Sequence, residues 1–113
     1  MKYNEVPLMS GSRLAEAEEI GFKLARLRVA RKMRQVDAAA RAGIARSTAA
    51  LLEKGDAGRT VAQVLRYLQA IAPDVTLLAL IQQTDPSLKV LAQTETRQRV
   101  RKLSAAELAK LDF

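Results

Sequence analysis

The stretch QVDAAARAGIARSTAALLE, residues 35–53, decides the fold of this 113-residue chain. It divides into two helical segments, QVDAAARA and RSTAALLE, on either side of residues 43–45, Gly-Ile-Ala. Glycine adopts the left-handed backbone that commonly ends a helix, so this tripeptide predicts a turn. Ala38, Ala39 and Ala42 have side chains small enough for the helices to approach closely where they cross. The stretch therefore predicts two short helices packed across a tight turn.

Two short helices joined by a glycine-containing turn form a helix-turn-helix, whose second helix can lie in the major groove of DNA. Arg46, Ser47 and Thr48 open the second helix, where their side chains can meet bases or phosphates. Gln35 opens the first helix, at a positive helix end that suits a phosphate. The alternative for each residue is a solvated polar position in a first turn. We hypothesise that this unit reads DNA.

Charge and residue usage restrict the classes of function. Lys and Arg number 19 and Asp and Glu 12, which gives a formal net charge of +7. This excess predicts an anionic partner: nucleic acid, an acidic protein surface or a membrane surface. The chain contains no His and no Cys, so it lacks the commonest general base, the commonest metal ligand and any disulfide. We find no catalytic residues and no metal site, and we expect a protein that is not an enzyme and needs no cofactor.

No segment of the sequence predicts membrane insertion or export. The longest apolar run, residues 75–81, is too short to span a bilayer. Residues 1–10 lack the apolar core of a signal peptide. We therefore expect a cytoplasmic, nucleoid-associated protein with no membrane partner.

The pattern of apolar residues predicts an N-terminal arm (residues 1–11), a helical domain (12–82) and a tail (83–113). The arm contains Pro7 and is predicted to be extended, at best an edge strand. Such an arm either stays loose or pairs with a second copy of the chain.

Helical periodicity predicts five helices in the domain. Ser12 is the predicted N-cap of the first helix and Thr60 that of the fourth. The second and third helices are predicted at about residues 35–42 and 46–54. Asp74 is the predicted cap of a short fifth helix that is apolar on nearly all sides. This fifth helix is expected to close the core, to mediate self-association, or to do both.

The tail combines sparse apolar residues with a basic cluster. Pro86 suits the first turn of one helix, and Ser104 opens a capping box for another. Isolated helices of this length are marginal in water, so we expect the tail to be partly helical or disordered. The cluster consists of Arg97, Arg99, Arg101 and Lys102.

Laid out in this order, the first four helices resemble the Xre/Cro family of prokaryotic helix-turn-helix regulators, whose fold is that of lambda repressor. The likeness covers residues 20–72 and is continuous from Ile20 to Gly55. The family pattern is matched by Ile20, Gly21, Leu27, Arg28, Arg31, Gln35, Ala39, Gly43, Ile44, Arg46, Ser47, Thr48, Glu53, Lys54 and Gly55. The resemblance implies sequence-specific binding to double-stranded DNA.

The chain departs from the family pattern at several positions. Arg34 and Ala45 stand where the family usually has side-chain caps for the second and third helices. Ala38 and Ala49 replace larger residues, which we expect to cost about 1 kcal/mol or more per side chain. Leu51 stands where many relatives have a polar base-reading residue, so a thymine-methyl contact is expected there.

The layout resembles one subgroup more closely, the HipB-type antitoxins that repress their own operon and bind a HipA-type kinase toxin. The likeness lies in the VLRYLQAI helix, the apolar TLLALI segment and the basic RQRVRK cluster. Two alternatives remain open. One is a solitary or phage-type Xre regulator without a toxin partner, and the other is a protein-binding module whose basic tail docks an acidic partner and whose helix-turn-helix is vestigial.

The resemblance assigns roles to individual residues. Arg28 and Glu53 are expected to form a structural ion pair between the first helix and the end of the third. One such domain contacts too few bases for a selective site, so we expect a homodimer on a palindromic operator. The contact between the two subunits of this homodimer is predicted at Val75, Leu78 and Ile81. The predicted DNA-contacting residues are Gln35, Arg46, Ser47, Thr48, Ala50, Leu51, Arg34 and Arg31.

Overall fold

The computed structural model describes the backbone of residues 6–82 and 85–111, and the side chains of residues 6–82 and 85–102. All regular structure in these ranges is helical. The predicted all-α fold, with five α-helices before the tail, is confirmed. A 3-10 turn, Val6–Leu8, precedes α1 (Gly11–Ala30), α2 (Gln35–Ala42), α3 (Arg46–Lys54), α4 (Val61–Ile71), α5 (Leu77–Gln82) and α6 (Pro86–Leu111).

Two predicted N-caps are wrong, and one is confirmed. Ser10 caps α1, because its side chain accepts a hydrogen bond from the backbone N–H of Arg13, and Ser12 lies inside the first turn. Thr60 caps α4 as predicted and forms a capping box with its Gln63 partner.

At α5, the backbone N–H of Ala79 donates to the Thr76 hydroxyl at 3.1 Å. Thr76 therefore takes the capping role predicted for Asp74. The Asp74 carboxylate instead accepts hydrogen bonds from Arg31. Asp74 was predicted to be the cap because it is acidic and lies near the start of the helix. Its carboxylate instead pairs with Arg31, which lies 43 positions earlier in the chain.

The core lies between α1, α2, α3 and α4, and α5 closes one side. Ala38 and Ala49 are fully buried, so small side chains occupy these positions as expected from the sequence. Among the described side chains, Tyr67, Leu24 and Leu27 are the largest that are fully buried. The remaining buried hydrophobic residues are Ala39, Ala42, Leu52, Leu68, Ile71, Ala72 and Leu80.

Helices α1 and α3 cross at two glycines. A Cβ on Gly21 would lie 2.4 Å from the backbone nitrogen of Gly55, and one on Gly55 would lie 2.2 Å from the Cα of Glu18. Gly55 also has a φ of 75°, in the left-handed region that suits glycine. Any larger residue at either position would force the two backbones apart.

The tail forms one continuous helix where it is described. Pro86 occupies its first position as the sequence suggested, but Ser104 lies within α6 and does not begin a second helix. Contacts with α1, described below, give this helix a packing surface that an isolated tail would lack. None of the described helices has the length and hydropathy of a membrane span.

The described part of the N-terminal arm is not extended. It forms the 3-10 turn Val6–Leu8, closed by a hydrogen bond from the Met9 N–H to the Val6 carbonyl at 3.1 Å. The φ of proline suits such a turn, which explains how Pro7 is accommodated. Residues 1–5 of the arm lie outside the described residues.

Candidate nucleic-acid interface

The first turns of α2 and α3 lie at the same end of the molecule. Near its C-terminus, α3 places Gly55 against residues 17–21 of α1 and Glu53 against Arg28. Helix α3 therefore runs opposite to α1, and its first turn lies toward the C-terminal end of α1. Helix α2 begins at Gln35, after a connection of only four residues from the end of α1. We call this end of the molecule the first-turn end.

The first-turn end presents helix amides that no side chain caps. Ala45 and Arg34 occupy the N-cap positions of α3 and α2 with extended backbones, and neither makes a side-chain cap hydrogen bond. The first N–H groups of a helix have no intrahelical acceptor and carry partial positive charge. The two departures from the family pattern therefore leave donors suited to water or to phosphate oxygens.

Side chains of the first turn of α3 are accessible to different degrees. Arg46 and Ser47 are exposed, whereas Thr48, Ala50 and Leu51 are half-buried. Of the three half-buried residues, Ala50 and Leu51 are apolar, and Thr48 has a short side chain. This gradient gives Arg46 the longest free reach from the helix.

The predicted phosphate contacts near α2 differ in their surroundings. Gln35 is half-buried, and Arg34 is exposed with its guanidinium 3.0 Å from Asp37 in the next turn. Arg31 donates to two carboxylates, with NH2 2.8 Å from Asp85 and 3.2 Å from Asp74. Both carboxylates therefore pair with the Arg31 guanidinium, and a phosphate would have to compete with them.

The turn between α2 and α3 is supported from α4. Gly43 ends α2 with a φ of 68°, as its position in the sequence indicated. The Arg66 guanidinium donates to the carbonyls of Ala42 and Gly43 at 2.8 and 3.1 Å. A cation at a helix C-terminus satisfies carbonyls that have no intrahelical donor. Sequence reasoning missed Arg66 because it lies more than 20 positions after the turn.

The profile of the helix-turn-helix domain family matches residues 19–81, which contain α2, the turn and α3. This match covers more than half of the chain. The chain belongs to the helix-turn-helix domain family. No curated protein and no solved structure matches it. Family membership makes DNA binding the general function of the domain, and it agrees with the position of the open first turns.

A largely buried polar network fixes α3 within the helix-turn-helix domain. The predicted ion pair is present, with Arg28 Nε and Nη2 donating to the two Glu53 carboxylate oxygens at 2.7 and 3.0 Å. Arg28 Nη1 also donates to the carbonyl of Met33, in the connection to α2. The network therefore joins α1, the start of the α2 connection and the last turn of α3.

Tyr67 of α4 completes this network, and sequence reasoning assigned it no role. Its side chain is fully buried and its hydroxyl donates to Glu53. Burial raises the pKa of the Tyr67 hydroxyl, and the Glu53 carboxylate raises the same pKa further. The tyrosine stays protonated and acts as a hydrogen-bond donor. Its only sequence signal was a place beside the apolar stripe of α4.

The residues predicted at the dimer contact have different exposures. Leu78 and Ile81 are 66% and 44% exposed, whereas Val75 packs against the core. Leu80, on the opposite side of α5, is buried. Helix α5 therefore closes the core with one side and presents two large apolar residues with the other.

Proposed function

We propose that the protein is a sequence-specific transcriptional repressor of the Xre/Cro type that binds double-stranded DNA as a homodimer. The observation that carries this proposal is the first-turn end, where neither α2 nor α3 has a side-chain N-cap and Arg46 at the start of α3 is exposed. In this arrangement α3 enters the major groove as the recognition helix, and α2 meets the adjacent phosphates with its N-terminus.

Each polar side chain at the first-turn end receives a role from its position. Arg46 is proposed to fork onto guanine O6 and N7, the commonest specific contact in the major groove. Ser47 reads a neighbouring base edge, and Thr48 and Gln35 bind phosphates. Arg34 can leave its exposed intrahelical pair for a phosphate, because such pairs are weak.

Two apolar positions of α3, Ala50 and Leu51, are proposed to contact the edge of the major groove without hydrogen bonding. Both are half-buried, so each retains surface that a thymine methyl can cover. Arg31 has a lesser role in this proposal, because Asp74 and Asp85 already occupy its guanidinium. Readout therefore depends mainly on the first turn of α3.

The proposed homodimer is supported by the two exposed apolar residues of α5, Leu78 and Ile81. A two-fold axis through this helix would place two recognition helices to read half-sites about 34–36 Å apart on a palindromic operator. Sedimentation equilibrium of the full chain tests this part. A chain that stays monomeric at every concentration and still binds its operator would contradict it.

The test of DNA recognition is a mobility-shift titration with the DNA upstream of the protein's own gene. We expect Arg46→Ala to weaken specific binding about tenfold or more, since one good base contact contributes about 1–3 kcal/mol. The melting temperature should not change, because Arg46 is exposed. Arg13→Ala, at an exposed arginine near the start of α1, is the matched control and should bind normally. Unchanged affinity of Arg46→Ala would exclude α3 as the recognition helix.

A narrower proposal is that the repressor is a HipB-type antitoxin of a cytoplasmic toxin–antitoxin pair. The support is the resemblance in α4, α5 and the basic cluster, together with the exposed apolar side of α5. Co-purification with the product of the adjacent gene tests it. An unrelated neighbour, or no association with a kinase-like neighbour, would leave a solitary or phage-type regulator.

A further inference from the structure

Helix α6 separates its charges between the surface that faces α1 and the surface that faces solvent. Residues 85–102 contain two acids, and both pair with α1. Glu95 accepts hydrogen bonds from Arg26 Nη1 and Nη2 at 2.9 and 2.8 Å, and Asp85 accepts two from Arg31, from Nη2 at 2.8 Å and from Nε at 3.4 Å. The negative charge of this part of the helix is therefore neutralised within the molecule.

The cations of α6 are not neutralised in this way. Residues 97–102, which we call the basic segment, contain four cations and no acid, and every side chain in it is exposed. No ion pair joins these cations to a carboxylate among the described side chains. Arg99 lies one turn after Glu95 and helps to lower the pKa of that carboxyl, but the hydrogen bonds to both of its oxygens come from Arg26. The cations are Arg97, Arg99, Arg101 and Lys102.

The direction of α6 carries the basic segment away from the first-turn end. Asp85 lies at Arg31 and Glu95 lies at Arg26, so α6 runs opposite to α1. Its acidic start lies near the C-terminal end of α1, where α2 and α3 present their first turns. Its basic segment points away from that end, and the structure is elongated, with extents of 66 × 32 × 25 Å.

The direction of α6 argues that the basic segment does not bind the DNA duplex that the first-turn end is proposed to bind. A helix that followed the phosphates would present cations near the first-turn end and acids away from it. Helix α6 has the opposite order, with Asp85 near the first-turn end and the cations beyond Glu95. The basic segment is thus a second cationic surface that the DNA-binding proposal does not use.

We propose that the basic segment is a docking site for an acidic segment of a partner protein and that this site remains open while DNA is bound. Arginine forks match carboxylates bidentately, and α6 already docks on α1 through such a fork, Arg26 to Glu95. Val100, 55% exposed among the cations, adds apolar contact. Arginine with an exposed aliphatic neighbour suits a protein interface.

The test uses a fluorescein-labelled peptide of alternating Glu and Ala as the acidic probe and the full-length protein. The variant Arg97→Gln/Arg101→Gln removes two cations one turn apart, and Arg13→Gln/Lys89→Gln removes the same charge elsewhere. We expect the first to weaken peptide binding by about fivefold or more, as for two exposed ion pairs, and the second to weaken it by less than about twofold. Peptide binding should persist when a bound DNA duplex saturates the protein.

The same variants separate this proposal from its rivals. Each DNA phosphate that a variant no longer neutralises lowers the salt slope of duplex binding by about 0.9. A lower slope in Arg97→Gln/Arg101→Gln, or displacement of the peptide by the duplex, would assign the basic segment to DNA and overturn the proposal. Equal weakening by both variants would show only general charge attraction and would also overturn it. The result does not depend on operator recognition, which the Arg46→Ala titration tests separately.

Discussion

The two sides of α1 hold their partner helices by different means. Toward α3, α1 offers backbone contact at Gly21 and a buried pair in which the Arg28 and Glu53 side chains are 17% and 8% exposed. Toward α6, it offers the pair of Arg31 with Asp85 just before that helix, with side chains 27% and 10% exposed, and the more exposed pair of Arg26 with Glu95, with side chains 30% and 36% exposed. The same arginine–carboxylate chemistry thus lies deeper in the fold at Arg28 and Glu53 than at Arg26 and Glu95.

The difference indicates how firmly each helix is positioned. A buried pair is costly to break, because removing one partner leaves an uncompensated charge, whereas an exposed pair contributes little. The position of α3 should therefore be integral to the fold. The position of α6 should depend on conditions that act on exposed charges.

Gly55→Ala should be the most damaging change at the α1–α3 contact. The new Cβ would meet the backbone of Ala17 and Glu18 at 2.2–2.7 Å, and φ is 75°. Overpacking and a left-handed non-glycine residue together should cost about 3 kcal/mol or more. Chemical denaturation measures the free energy of unfolding. Gly43→Ala is the control, because it has a similar φ but meets only the flexible end of Arg66 at 3.0 Å, and it should cost less. Equal destabilisation would show that backbone strain, and not close approach, dominates.

Glu53→Ala should destabilise the fold by about 3 kcal/mol, because Arg28 is left charged and largely buried. Tyr67→Phe removes one donor to the same carboxylate and should cost about 1–2 kcal/mol. Thermal and denaturant unfolding of both variants, with Glu95→Ala as the surface counterpart, measures the contrast. If Glu95→Ala is as destabilising as Glu53→Ala, the distinction between the two sides of α1 is wrong.

Local sequence signals were sufficient for the helix-turn-helix unit. Helices α2 and α3 begin and end as predicted, since glycine follows each one directly and apolar spacing marks the buried side. The lack of a side-chain cap at Arg34 and at Ala45 could also be predicted, because a cap depends on one residue type at one position. The exposed first turn of α3 followed from the same local pattern.

Long-range partners could not be recognised in this way. Tyr67 and Arg66 support α3 and its turn from another helix, and nothing near them in the sequence indicates these partners. Asp74 had the right residue type for a cap, but Arg31, 43 positions earlier, binds its carboxylate. The continuous α6 was missed for the same reason, since its packing depends on acids that meet arginines of α1.

Acid should loosen α6 while the rest of the domain stays folded. Hydrogen bonds from Arg31 hold the pKa of Asp85 below its usual range, with a further contribution from Ser87, and Arg26 lowers the pKa of Glu95. A carboxyl whose pKa is lowered by folding stabilises the folded state above its ordinary pKa of about 4. That contribution is lost as the pH falls through the lower, folded value. Docking of α6 should therefore be complete at neutral pH and weaken below about pH 4.

Spin-label distances can measure this loosening, because the chain has no native cysteine. With labels at Ala15→Cys and Gln98→Cys, the α1–α6 distance distribution should be narrow at pH 7 and broad at pH 3. Labels at Ala15→Cys and Ala62→Cys report on α1 and α4 and should stay narrow. Adding Arg26→Gln and Arg31→Gln to the first pair should broaden it already at pH 7, since the arginines can then no longer hold the acids. A narrow α1–α6 distribution in both backgrounds and at both pH values would mean that apolar packing, and not the ion pairs with Arg26 and Arg31, holds α6 in place.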